Sequence, residues 1–206
     1  LYSNTIGEDN VAVGIFTLLY NTTGLRNTAT GNYGLVSNDS GGDNAAYGYQ
    51  ALTNNTRGSQ NVAMGPNTLL YNKGNNGSTA IGYQAMMNPD TSEFFFVHRT
   101  TYNTAIGYES LKGNYPPWNN TGTDNTATGA HTLKNNSAGS GNVAIGSRAL
   151  FTNTTGNTNI AIGRSALYSN TDKSNLMAIG DSALFYNTTG NMNLAFGASA
   201  LKSNVS

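Results

Sequence analysis

The chain restates one phrase along its whole length. "NTAIGYESL" (Asn103 to Leu111) returns as "STAIGYQAM" (Ser78 to Met86), "NVAIGSRAL" (Asn142 to Leu150) and "NIAIGRSAL" (Asn159 to Leu167). Aligned on the motif's glycine, the repeat recurs at Gly14, Gly31, Gly48, Gly65, Gly82, Gly107, Gly129, Gly146, Gly163, Gly180 and Gly197. Successive spacings are 17, 17, 17, 17, 25, 22, 17, 17, 17 and 17. A fixed short period marks stacked units, none of which can bury its apolar face alone. Seventeen residues are too few for a helical hairpin of roughly 33 or more. The spacing predicts an all-β chain, a parallel β-solenoid or β-roll of about eleven 17-residue coils. It forms a single open-ended repeat domain, 1–206, with loop insertions at about 87–102 and 113–121.

Comparing units shows what each position demands. Counting from the glycine as zero, position −2 is always Ala, as in Ala12, Ala105 and Ala144. Position +4 is Leu, as in Leu18, Leu111 and Leu150, except for Met86. Ala12, Gly14, Leu18, Ala105, Gly107, Leu111, Ala144, Gly146 and Leu150 are thus read as structural residues of the repeat. Position −4 is Asn except at Ser78 and Leu176, and position +10 is usually Gly, as in Gly24, Gly41 and Gly139. "N-T-A-I-G" alternates with period two and reads as a short strand; "N-T-T-G" reads as a turn. Glycine supplies turn dihedrals, and Asn tolerates left-handed backbone. Stacked coils would place each Asn above the next, forming a ladder of amides.

Alternation sets the faces. The −1 column holds Val13, Thr30, Tyr47, Met64, Ile81 and Phe196 among others. A close-packed interior does not accept such volume changes in successive coils. The uniform Ala and Leu are therefore placed inside, and the −3/−1 face outside. The opposite assignment, with Val and Ile inside, is the alternative. An apolar stripe along a rod is normally covered. Self-association is expected, as three chains around an axis or as laterally packed fibres. Neither end shows a polar cap, and Leu1 sits at the position of the repeat Leu. The reading expects a longer or processed chain, or head-to-tail stacking into a filament.

Composition removes several function classes. Ten Lys and Arg balance ten Asp and Glu, so there is no cationic surplus for neutralising phosphates. No nucleic-acid partner is expected. Apolar runs fall well short of ~18 residues, so no membrane insertion is expected either. There is no Cys, hence no thiolate metal site or Cys nucleophile. His98 and His131 lie in different repeats, and His131 reads as a solvated imidazole. The sparse carboxylates Asp39, Asp43, Glu109, Asp124, Asp172 and Asp181 do not form a repeating ligand set, unlike those of a calcium-binding nonapeptide solenoid. The glycine turns lack the Lys and helix of a phosphate loop. No enzyme activity, cofactor or metal is expected.

The "N-x-A-I-G-x-x-A" core resembles the head repeats of YadA-like trimeric autotransporter adhesins, which form left-handed parallel β-rolls. It is more closely similar to the "NTAIGYQAL…NTTG" repeats of phage and prophage-type tail-fibre proteins, as "STAIGYQAM" and "FYNTTGNMN" show. The coil here is longer than the adhesins'. The resemblance implies an extracellular, cell-surface or virion fibre, and it carries over no functional residue.

The insertions fall in consecutive units. "EFFFVHRTTY" (Glu93 to Tyr102) and "NYPPWNN" (Asn114 to Asn120) should meet when coils stack. Phe94, Phe95, Phe96, His98, Arg99, Tyr115 and Trp118 would form one aromatic knob. It would either pack on itself or a neighbouring subunit, or stack on the sugars of a surface glycan. Nine Asn-x-Ser/Thr sequons occur, at Asn21, Asn38, Asn54, Asn76, Asn119, Asn135, Asn153, Asn187 and Asn204. They are read either as turn chemistry or as possible glycosylation sites along one edge. The functional expectation is a structural extracellular fibre or filament subunit, adhesive through the knob. One alternative is a tail-fibre shaft with receptor or glycan binding. A second is an ice-binding solenoid, which would need a regular Thr array. Thr28, Thr79, Thr104 and Thr126 supply only parts of one.

Overall fold

The computed structural model of the protein describes residues 1–89, 99–115 and 120–204. Each repeat contributes one three-residue strand. These are β1 (Val11–Val13), β2 (Thr28–Thr30), β3 (Ala45–Tyr47), β4 (Val62–Met64), β5 (Thr79–Ile81) and β6 (Thr104–Ile106). The series continues with β7 (Thr126–Thr128), β8 (Val143–Ile145), β9 (Ile160–Ile162), β10 (Met177–Ile179) and β11 (Leu194–Phe196). They form one sheet in sequence order. Every pairing is parallel and sets Ala on Ala, from Ala12↔Ala29 to Ala178↔Ala195. Register holds across both insertions, where Ala80 meets Ala105 and Ala105 meets Ala127. At a parallel-strand spacing of about 4.8 Å, the ten intervals make a stack roughly 48 Å long. Among the described residues no helix is long and apolar enough to cross a membrane.

Burial settles the two face assignments. Ala29 through Ala178 at position −2 and the Leu residues from Leu18 to Leu184 at +4 are buried in the core. The strands read half-buried, buried, exposed in the typical coil, with Ala in the middle. The core is three columns: methyls at −2, isobutyls at +4 and small side chains at +3, such as Ala51, Ala149 and Ala166. Stacking fills the same shape again in every coil.

The turn that carries the Leu is not what its residues suggest. Leu at +4 has left-handed φ in coil after coil, for example Leu35 at 49°, Leu133 at 49° and Leu150 at 50°. Position +2 is left-handed too, as at Tyr33 (62°) and Arg148 (60°). A left-handed L-residue costs roughly 1–2 kcal/mol. Burying a Leu contributes about 1.5–3 kcal/mol. The Leu150 N–H also donates to the Ala166 carbonyl of the next coil (3.0 Å), while Arg148 donates back to Ala130 (3.0 Å). Alternating backbone hand thus points successive N–H groups up and down the stack. Burial and these bonds together outweigh the strain.

Two glycine positions are required for different reasons. At position zero the φ is near +130°, and a Cβ on Gly146 would meet the Gly163 carbonyl carbon at 2.7 Å. At position +10 the φ is ordinary, which corrects the expectation of a turn dihedral there. A Cβ on Gly24 would instead collide with the Gly41 carbonyl and the Asn21 and Asn38 amides. The Asn columns are likewise corrected. Among the described residues, left-handed backbone falls on Asn only at Asn67 and Asn175. The columns at −4 and +7 serve as hydrogen-bonding ladders, as the stacking argument expected.

Candidate functional site: the outer strand face and the coil edges

In the −4 ladder each Asn works twice. Asn44 Nδ2 donates to Asn27 Oδ1 (3.0 Å) and to the Gly58 carbonyl (2.8 Å), while the Asn44 N–H donates to Asn27 Oδ1 (3.1 Å). In the +7 ladder Asn38 donates to Asn21, Asn55 to Asn38 and Asn72 to Asn55, each at 2.7 Å. Pro89 takes the +7 position in coil 5, so this ladder stops and Asn72 Oδ1 is left without a partner. It resumes where Asn153 donates to Asn136 (2.8 Å).

The ladders decide where the sequon asparagines lie. Asn21, Asn38, Asn153 and Asn187 are fully buried, with Nδ2 committed to a carbonyl three residues on. A glycan on that nitrogen would remove the bond and a rung, so a glycan row is incompatible with the folded stack at these four. Asn54, Asn76, Asn135 and Asn204 are half-buried, and Asn119 lies outside the described residues. The knob is also largely outside them: Phe94, Phe95, Phe96, His98 and Trp118 are not described. Tyr115 is exposed, and Arg99 donates to the Thr121 carbonyl (3.4 Å). The first insertion rejoins the stack through a parallel bridge of Asn76 with Thr100.

The outer strand face is the broadest feature. Its two columns, −3 and −1, are apolar or aromatic except for Thr28, Thr30, Thr79, Thr104, Thr126 and Thr128. Val13, Tyr47, Met64, Ile106, Ile145 and Phe196 are exposed on it. A strip ~48 Å long and ~10 Å wide presents about 500 Å². That is near the top of what lone soluble chains leave open.

One polar cluster was not anticipated. Glu109 is 8% exposed and faces two lysines, Lys112 in its own coil and Lys134 in the next. Its Oε1 accepts from Lys112 Nζ (2.7 Å), and Lys134 Nζ lies 2.7 Å from Oε2. Lys112 also donates to Gln84 Oε1 in the preceding coil (2.8 Å). Burial pushes the Glu109 carboxyl up, but hydrogen bonds from Lys112 and Lys134 outweigh it and hold it at about 2. His131 is not the solvated imidazole expected. Its ring sits edge-on to Tyr108 (5.2 Å) and Phe151 (6.4 Å), and Nδ1 is 3.2 Å from Glu109 Oε2 without hydrogen-bond geometry. Because the folded carboxyl titrates below its unfolded value of 4.5, the cluster's stabilisation is full above that pH. It is lost as pH falls toward 2. Glu109→Gln should lower stability at pH 7 by about 1–3 kcal/mol, by removing the negative charge that Lys112 and Lys134 share. Thermal melts should show the gap to wild type closing between pH 4.5 and 2.

Rings line the same edge. Tyr83 stacks on Tyr108 (5.4 Å), and Phe151, Tyr168 and Phe185 stack at 5.2 and 4.9 Å with nearly parallel planes. Tyr168 has both faces covered by Phe151 and Phe185, so this run of three rings offers edges rather than a platform for sugars. Aligning the +5 column (Phe151, Tyr168, Phe185) would have revealed it from sequence. The cavity beside the insertions, lined by Met86, Asn88, Thr101, Leu111 and Asn136, is about 20 Å³. It has room for one water and none for a sugar. Among the described residues no three His, Asp or Glu side chains come together as a metal site.

No family model, curated protein or solved structure matched the chain.

Proposed function

We propose that the protein is a structural extracellular fibre or filament subunit whose outer strand face is covered by further copies of the same chain. The observation that carries this reading is the apolar strand face, which runs the length of the stack. One pair of faces would bury roughly 1,000 Å², the low end of a specific interface. The contact therefore gains by repetition, in a bundle of three chains or in a fibre. Two all-threonine rungs, Thr28/Thr30 and Thr126/Thr128, lie five coils apart. Parallel copies in register would match hydroxyls with hydroxyls at both rungs and keep Ile145, Ile162 and Ile179 against apolar partners. A shifted register would bury hydroxyls against Ile or Met without partners.

The role is mechanical: reach and spacing outside a cell or on a virion. Tail-fibre shafts of the kind the repeat resembles fit this role equally well. Electron microscopy of purified material tests it. Fibres or threefold rods support the reading, and isolated single-chain particles at high concentration overturn it. A point test uses Ile145→Lys. Ile145 faces outward, so circular dichroism should keep its wild-type form. An unpaired ammonium in the covered face should weaken association by on the order of 100-fold, as read by sedimentation.

A further inference from the structure

We infer that Tyr83 and Tyr108 form an oxidative coupling site, at which a dityrosine bond staples coil 5 to coil 6. Both residues follow the repeat glycine directly, so their rings leave the backbone at the same position of adjacent coils. The ring centroids are 5.4 Å apart and the planes 20° from parallel. At this spacing and tilt the two phenols face one another, and rotation about their side-chain bonds brings the ortho carbons together. Tyr83 is 41% and Tyr108 49% exposed, so an oxidant reaches both. The chain has no Cys to be oxidised in their place.

The other contacting tyrosine pair provides the contrast. Tyr33 and Tyr49 sit edge to face at 85°, with centroids 6.0 Å apart, further than the 5.4 Å of Tyr83 and Tyr108. Tyr168 has Phe151 and Phe185 as ring neighbours and no phenol to couple with. The location also matters. Coils 5 and 6 are separated by the longer insertion, and Pro89 interrupts the +7 ladder there, leaving Asn72 Oδ1 unpaired. A covalent bond would reinforce the stack where a rung is missing.

The step balances with hydrogen peroxide as oxidant and a haem peroxidase as catalyst. Each phenol gives up one electron and one proton. The two phenoxyl radicals join through a carbon–carbon bond ortho to each oxygen, and the ring hydrogens return to the oxygens. One peroxide is reduced to two waters. This inference does not depend on the fibre reading, since both rings belong to one chain.

The test is to treat the purified chain with a haem peroxidase and hydrogen peroxide, then digest it with trypsin. The expected product is single-chain in mass, fluoresces as dityrosine and joins peptide 74–99 to peptide 100–112 with loss of two hydrogens. Tyr83 is the only tyrosine of the first peptide. Tyr108→Phe should abolish the cross-linked peptide, whereas Tyr102→Phe should leave it, and the coupled protein should melt at a higher temperature. Circular dichroism of both variants guards against unfolding. Dityrosine found mainly between Tyr33 and Tyr49, or only between chains, overturns the assignment. So does its absence when tyrosine has been consumed.

Discussion

Gly146→Ala is expected to unstack the solenoid between β8 and β9, lowering stability by roughly 4 kcal/mol or more. Two effects add. The φ of 122° is one that L side chains rarely adopt, a strain of roughly 1–3 kcal/mol. The new methyl would also press on the Gly163 carbonyl carbon and oxygen, both at 2.7 Å, and these are backbone atoms that cannot swing aside. Gly197 separates the two effects. Its φ is 120°, yet nothing lies within 4 Å of its built Cβ. Gly197→Ala should therefore show the strain alone. Denaturant unfolding of both variants measures the difference. Equal losses would mean that the dihedral, and not the approach of the next coil, makes the residue glycine.

Asn142→Ala should cost about 2–5 kcal/mol, since it orphans several groups at once. Asn142 is fully buried. Its Nδ2 donates to Asn125 Oδ1 (3.1 Å) and the Gly156 carbonyl (2.9 Å), and its Oδ1 accepts the Asn159 N–H (3.0 Å). Alanine satisfies none of these. Asn142→Asp keeps the acceptor but loses the donor and adds a buried charge, so it should be no better at neutral pH. The chain contains its own comparison at Leu176, which is 1% exposed. There the leucine N–H still donates to Asn159 Oδ1 (3.0 Å), but the side chain offers the next coil nothing. Hydrogen exchange at the Asn159 N–H of Asn142→Ala gives the local readout. Unchanged protection there would remove the ladder as the source of the loss.

The strands, their order and the inward columns were legible because they repeat. Ala at −2 and Leu at +4 need no long-range information to be recognised as core. The amide ladders were legible for the same reason. The left-handed backbone at Leu150 or Arg148 was not, because neither residue type favours it and only the pull of the next coil imposes it. The Glu109 cluster escaped for the opposite reason. It occurs once, and its partners Gln84, Lys112 and Lys134 lie at two repeat positions in three coils. Buried sequon asparagines carry a related lesson. "N-T-T-G" names the turn correctly, but whether its Asn faces solvent or the next Asn is decided by stacking.

A stack of near-identical rungs has a folding hazard. If every coil offers the same Ala, Leu, Gly and paired Asn, a coil can be looped out and its neighbours closed over the gap. The mispaired chain loses only one rung, so the native and slipped states are close in energy, a shallow and frustrated landscape. The Glu109 cluster breaks that degeneracy. Its carboxylate takes Lys112 from its own coil and Lys134 from the next, and Lys112 reaches back to Gln84. Only one ordering of coils 5, 6 and 7 brings all four together. A slipped chain would bury the carboxylate without them. The irregular rungs thus act as an address within the repeat, setting which coil follows which among otherwise interchangeable neighbours.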